Sequence, residues 1–258
     1  YKGGFRGEII STRPTLDLAR IIMLDSAHLI KEEYRLHFRK AQRRGEEKKI
    51  LAPMFIDLDV ESLLTLKKRY AIYNKTIELQ EDIDITFYNA GHILGSAFVA
   101  INFIENGVSK RIIFSGDLGN KNDIVLPSPQ KPLEADTLYI ESTYGDRNHK
   151  NIDDSLAEFK EVIIKTLGNG GNILIPSFAI ERTQEILIML KLMQINGELP
   201  RCQVFLDSPM AIRATRVYNK YPEELSALCQ NFLKEDGSVF DFPHLEFIQR
   251  REDSKKIN

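Results

Sequence analysis

The sequence predicts an α/β fold in two parts, and three observations predict it. Residues 96–117, "SAFVAINFIENGVSKRIIFSGD", set two β-rich apolar runs on either side of Asn106-Gly107, the signature of a type I′ hairpin. Residues 17–34 carry apolar side chains at helical spacing. Beyond about residue 150, strand and helix patterns alternate, which argues for a mostly parallel sheet flanked by helices.

Taken in order, the segment from Asp17 to Tyr34 places Leu18, Ile21, Ile22, Leu24, His28 and Leu29 on one side of a helix, with Thr15 or Asp17 as its cap. A polar basic segment, "RLHFRKAQRRGEEKK" (35–49), follows and reads as solvated surface. Residues 57–70 read as a second helix and 85–90 as a strand. The hairpin comes next, then a strand over 136–140. Helices are expected over 152–167, 180–195 and 209–220, with strands at 172–178 and 203–208 between them. The change of pattern divides the chain into 1–150 and 151–258.

Composition narrows the function. Thirty-five Lys and Arg against 37 Asp and Glu leave a net charge of −2, not the basic balance that announces many nucleic-acid binders. No apolar stretch reaches the roughly 20 residues of a membrane helix, and no secretory signal opens the chain. Cys202 and Cys229 have neither zinc-motif spacing nor the number for a disulfide framework, so a cytoplasmic setting is expected.

Chemistry-bearing residues gather where strands meet loops. His92 follows strand 85–90, Asp117 follows the hairpin in "FSGDLG", Glu141 closes strand 136–140, and His149 lies just beyond. Glycines beside His92 and Asp117 permit close backbone approach. Imidazole and carboxylate are ligands for borderline metals such as zinc. Each residue also has a plain structural reading: a satisfied core histidine, a turn-capping aspartate, a salt-bridged glutamate. Elsewhere His28 reads as core or interface, His37 as solvated and His244 as structural.

Five stretches, "NAGHILGSA", "FSGDLG", "ESTYGDRNH", "IPSFAIERTQEIL" and "FLDSPMAIRAT", stand in an order that resembles the β-CASP branch of the metallo-β-lactamase superfamily, the RNA-processing nucleases. The opening "GFRGEIISTRPTLDLARIIMLDSAHLI" resembles the segment after that family's first zinc motif. The resemblance implies a partial αββα sandwich over 1–150, followed by the N-terminal portion of a β-CASP domain over 151–258. It implies that His92 is a zinc ligand and that Asp117 bridges two zinc ions. Glu141 then organises the site from outside the ligands, and Ser177 and Arg182 face the substrate cleft. The structural alternatives are a helix N-cap for Ser177 and an ion pair with Glu185 for Arg182.

One departure matters. The family's His-x-His-x-Asp-His signature is absent; the histidines are His28, His37, His92, His149 and His244. The resemblance places that signature before Tyr1 and two further histidine motifs after Asn258, so the chain reads as an internal piece. Two ligands hold zinc weakly, so this piece alone is expected to be metal-free and inactive, and the intact protein to carry two Zn2+. The implied function is hydrolysis of RNA phosphodiesters on a single-stranded RNA partner, with no membrane partner and a homodimer left open. The alternative is a metal-free RNA-binding or scaffold subunit. A small-molecule hydrolase of the same sandwich fold is a third reading, and a DNA-directed member is a further alternative within the nuclease class.

Overall fold

The computed structural model describes residues 1–46, 49–131, 133–147 and 151–257; His149 lies outside them. It is an α/β structure with a mixed sheet, in two compact units, Tyr1–Ala71 and Ile72–Asn258.

The first unit contains β1 (Ile9–Ser11), α1 (Arg13–Gln42), α2 (Asp57–Leu63) and β2 (Lys68–Tyr70), with β1 and β2 paired in parallel. Thr12, rather than Thr15 or Asp17, caps α1 by accepting from the Thr15 N–H, and a proline sits in the first turn. The helix runs well past Tyr34 and takes in the first half of the basic segment. Arg, Lys, Gln and Leu are good helix formers, and Arg39 and Lys40 in the last turn suit the negative end of its dipole. The expected helix over 57–70 stops at Leu63, and Lys68–Tyr70 is a strand. The parallel ladder to β1 there overrides the helical pattern.

The second unit is built on five strands in the order β3 (Thr76–Gln80), β4 (Ile83–Asn89), β5 (Ala97–Glu105), β6 (Val108–Phe114) and β7 (Thr137–Tyr139). Asn106 and Gly107 have φ of 53° and 77°, as a type I′ turn requires, and they join β5 to β6. Phe98, Ala100 and Ile113 form a buried cluster on one face, with Tyr88 stacked on Phe98 at 5.0 Å between ring centres. The strands β4, β5 and β6 alternate in direction, while β7 lies parallel to β6. Hence β4, β6 and β7 all run the same way, and their C-terminal ends lie along one edge of the sheet.

The remainder holds α3 (Ile152–Gly168), α4 (Arg182–Ile195), β8 (Val204–Leu206), α5 (Pro209–Lys220), α6 (Ala227–Asp236), β9 (Leu245–Phe247) and a last turn of helix, α7 (Arg251–Ser254). β8 and β9 pair in parallel. Ser208 and Ser226 cap α5 and α6 through their hydroxyls. Helix α4 is enclosed on most sides, burying Gln184, Leu187, Ile188, Leu190 and Met193. The expected strand over 172–178 has no ladder and no regular secondary structure. Its apolar run reads as a buried strand, yet Leu174 is 90% and Phe178 86% exposed. A strand needs a partner as well as a pattern.

Candidate functional site

The shared strand direction brings three loops together. The loop after β4 carries His92, the loop after β6 carries Asp117, and Glu141 stands two residues beyond β7. His92 Nε2 lies 3.9 Å from Asp117 Oδ2, and the side chains are 43% and 73% exposed. That separation is longer than a hydrogen bond.

Each loop is fixed by its own hydrogen bonds. Ser96 Oγ accepts from the N–H groups of His92 (3.0 Å) and Ile93 (3.2 Å), closing the turn that presents the imidazole. The buried Leu94 donates its N–H to the Tyr218 hydroxyl at 3.2 Å. Two glycines lock the first loop against the second. The Gly119 N–H donates to Ala90 O at 2.9 Å. A Cβ on Gly119 would lie 1.6 Å from the Gly91 carbonyl oxygen, so only glycine fits. Gly91 itself has a φ of 61° and packs on Pro129, whose ring nitrogen a Cβ would meet at 2.8 Å.

Glu141 binds the third loop to the second. Its Oε1 accepts from the Leu118 N–H at 2.7 Å, its Oε2 accepts from the Thr143 hydroxyl at 2.7 Å, and its N–H donates to Ser115 Oγ at 3.0 Å. The Thr143 hydrogen bond, then that of Leu118, hold the carboxyl below the usual range, with a smaller contribution from the charge of His92. Glu141 is therefore an ionised strut under the loop that carries Asp117.

Ser177 and Arg182 belong to the chain that leads into α4, in the second unit. Ser177 Oγ is 2.9 Å from the Thr183 hydroxyl, and Glu181 rather than Ser177 is the N-cap residue of α4. Arg182 pairs with Glu185 at 2.5 Å and lines a cavity of about 680 Å³ with Asp123, Ser155, Phe159, Glu185 and Met189.

The sequence reading missed Asp123, Glu181 and Glu185, which each bring a carboxylate oxygen within 4.8 Å of the others. The only sequence signal was the four-residue spacing of Glu181 and Glu185, which aligns them on one helix face. Glu181 is 8% exposed and adopts a φ of 66° in a tight turn closed by the Arg182 N–H on Ile180 O. The Tyr218 hydroxyl donates to its Oε2 at 2.5 Å. Burial, then the charge of Asp123, pushes the Glu181 carboxyl up to about 9, and burial pushes Glu185 up to about 7.

A pH dependence follows. Folded Glu181 keeps its proton in a range where the unfolded chain releases it. Its contribution is full below the ordinary carboxyl value and is lost as pH rises through about 9. In cation-free buffer the full-length protein is expected to lose stability, on the order of a few kcal/mol, between pH 5 and pH 9. Glu181→Gln, which carries no titrating proton, should flatten that slope. Chemical denaturation at both pH values checks it, and equal slopes for the two proteins would contradict it. The groups facing Glu181 are Tyr218, Asp123, Glu185 and Arg182.

Comparison with known proteins places these features in context. Residues 183–258 match the family model of the Beta-Casp domain. Over its whole length the chain is 35% identical to Ribonuclease TTHA0252 of Thermus thermophilus and spans 53% of that protein. Over 98% of the chain it is 29% identical to Transcription termination factor FttA of Cenarchaeum symbiosum, spanning 37% of it. Over 86% of the chain it is 33% identical to FttA of Thermococcus kodakarensis, spanning 32% of it. The chain thus spans between a third and about half of these relatives. Among the described residues, no helix is long and apolar enough to cross a membrane.

Proposed function

We propose, from the premise that this chain belongs to the β-CASP family of metallo-β-lactamase-fold proteins, that the whole protein is a cytoplasmic, metal-dependent ribonuclease. Residues 1–150 supply part of its metallo-β-lactamase domain and 151–258 part of its β-CASP domain. The observation that carries this reading is the convergence of His92 and Asp117 at 3.9 Å on the sheet edge where three strands end. Support for the RNA substrate comes from the ribonuclease relative that matches the chain end to end.

The residues fit the group the family implies. Two zinc bonds of about 2.1 Å span up to about 4.2 Å, so one ion can reach both donor atoms. An imidazole and a carboxylate also match zinc's preferences. Under this proposal His92 and Asp117 would hold zinc, with Asp117 the ligand that two ions would share. Zinc, when bound, supplies Lewis acidity and an activated water for attack on a phosphodiester. The chain's own residues hold that arrangement. Ser96 fixes the imidazole's loop, and Glu141 props the Asp117 loop through Leu118. Arg182 and Ser177 would face the phosphate backbone of a single strand; for Arg182 this means releasing Glu185.

The test uses full-length protein and a pair of single-stranded oligonucleotides of one sequence, RNA and DNA. Zinc-loaded protein is expected to cleave the RNA, and a chelator that removes the zinc should stop it. Cleavage of DNA alone would overturn the substrate. Cleavage of neither, in a protein of verified zinc content, would overturn the enzymatic reading in favour of a scaffold.

A further inference from the structure

We propose that Asp123, Glu181 and Glu185 form a second cation site, which takes a hard divalent ion of the Ca2+ class and ties the loop after β6 to helix α4. Their ligand oxygens all lie within 4.8 Å of one another. An all-oxygen set selects hard cations over zinc or copper. At that upper limit an ion central to the three oxygens would stand about 2.8 Å from each, so a Ca2+-sized ion, with bonds of about 2.3–2.6 Å, needs the smaller adjustment and Mg2+, at about 2.0–2.1 Å, the larger.

A second observation points to a ligand. Glu181 is 8% exposed, and its Oε1 is buried with no hydrogen-bond partner, while Tyr218 takes only Oε2. Such an orphaned oxygen is costly, and the carboxylate that bears it belongs to the cluster. Gln184, fully buried one helical turn along the same face, also leaves its Oε1 without a partner. The route in is open, because Asp123 and Glu185 line the 680 Å³ cavity while Glu181 stands buried beside them. Charge agrees: ionised, the three carboxylates against the Arg182 guanidinium leave two negative charges, which one divalent ion cancels.

The ion would connect elements that the chain keeps far apart in sequence. Asp123 Oδ1 already accepts from the N–H groups of Val125 (2.7 Å) and Leu126 (2.9 Å), which leaves its other oxygen for the cluster.

The experiment uses full-length protein, stripped of free cations, with zinc restored, and titrated with CaCl2. Wild type should bind one Ca2+ per chain by calorimetry and gain about 3–5 °C in Tm at saturation. Glu181→Gln and Glu185→Gln copy the shape of the protonated acids, so they should fold, as circular dichroism can verify. Both should lose the calcium-dependent gain. Asp117→Ala should keep it, so a failure of the nuclease reading leaves this one standing. A wild type whose Tm ignores calcium would overturn the site, as would Gln variants that respond as wild type does.

Discussion

In the full-length protein, Asp117→Ala is expected to lower RNA cleavage by about 10³-fold or more and to remove bound zinc, while circular dichroism stays unchanged. The size follows from the proposed role. Disturbing residues that merely support metal ligands costs about 10–100-fold, and removing a carboxylate shared by two ions should cost more. The fold should survive because the Asp117 side chain is 73% exposed and the second loop is held by Leu118 and Gly119 main-chain groups. The rival view is that Asp117 is an ordinary turn aspartate. Replacement would then change stability by about 0.5 kcal/mol at most and leave turnover intact. Steady-state cleavage with zinc analysis of the same preparation separates the two, and retained turnover sinks the assignment.

Among the described glycines, Gly119 should be the one where an added methyl, Gly119→Ala, does the most damage. The new carbon would sit 1.6 Å from the Gly91 carbonyl oxygen and 2.7 Å from the His92 nitrogen. Both neighbours are backbone, so no rotamer change relieves the clash and a loop must move. Overpacking usually costs about 1–3 kcal/mol; here we expect about 3 kcal/mol or more. The displaced atoms belong to the His92 loop, so cleavage should fall together with stability. Gly168→Ala is the control. It meets nothing within 4 Å at the end of α3, and alanine is the better helix former by about 1 kcal/mol. Thermal unfolding of both variants checks this, and similar Tm values would refute the locking role of Gly119.

Much of the architecture was legible because local rules agreed with the tertiary outcome. Asn106-Gly107 specifies its turn by itself, and the alternation beyond residue 150 places α3, α4 and α5 close to their observed bounds, whereas α6 was not read. The pattern misled where the deciding partner lay elsewhere. Lys68–Tyr70 continues a helical sequence but pairs with β1, and 172–178 has a strand's composition but no ladder. At the candidate site, the residue types at 92, 117 and 141 could be read at their junctions. What could not be read was the contact between Gly91 and Gly119, which depends on two loops meeting. Asp123 was hidden for the same reason, since its carboxylate partners lie far along the chain at the start of α4.

The ladder of the larger sheet sets a distance problem that the loops must solve. β4 and β6 are next-nearest neighbours with β5 between them, and strands stack about 4.8 Å apart. The chain therefore leaves the sheet for residues 92 and 117 from points roughly 10 Å apart, whereas the two side chains end within 3.9 Å. Two medium-length side chains pointed at each other could span much of that difference, and the touching glycines show that the main chain leans inward as well. The bite between imidazole and carboxylate thus depends on the backbone as well as on the donor side chains. An insertion in either turn would open it as surely as replacing a donor atom, even with every ligand residue intact.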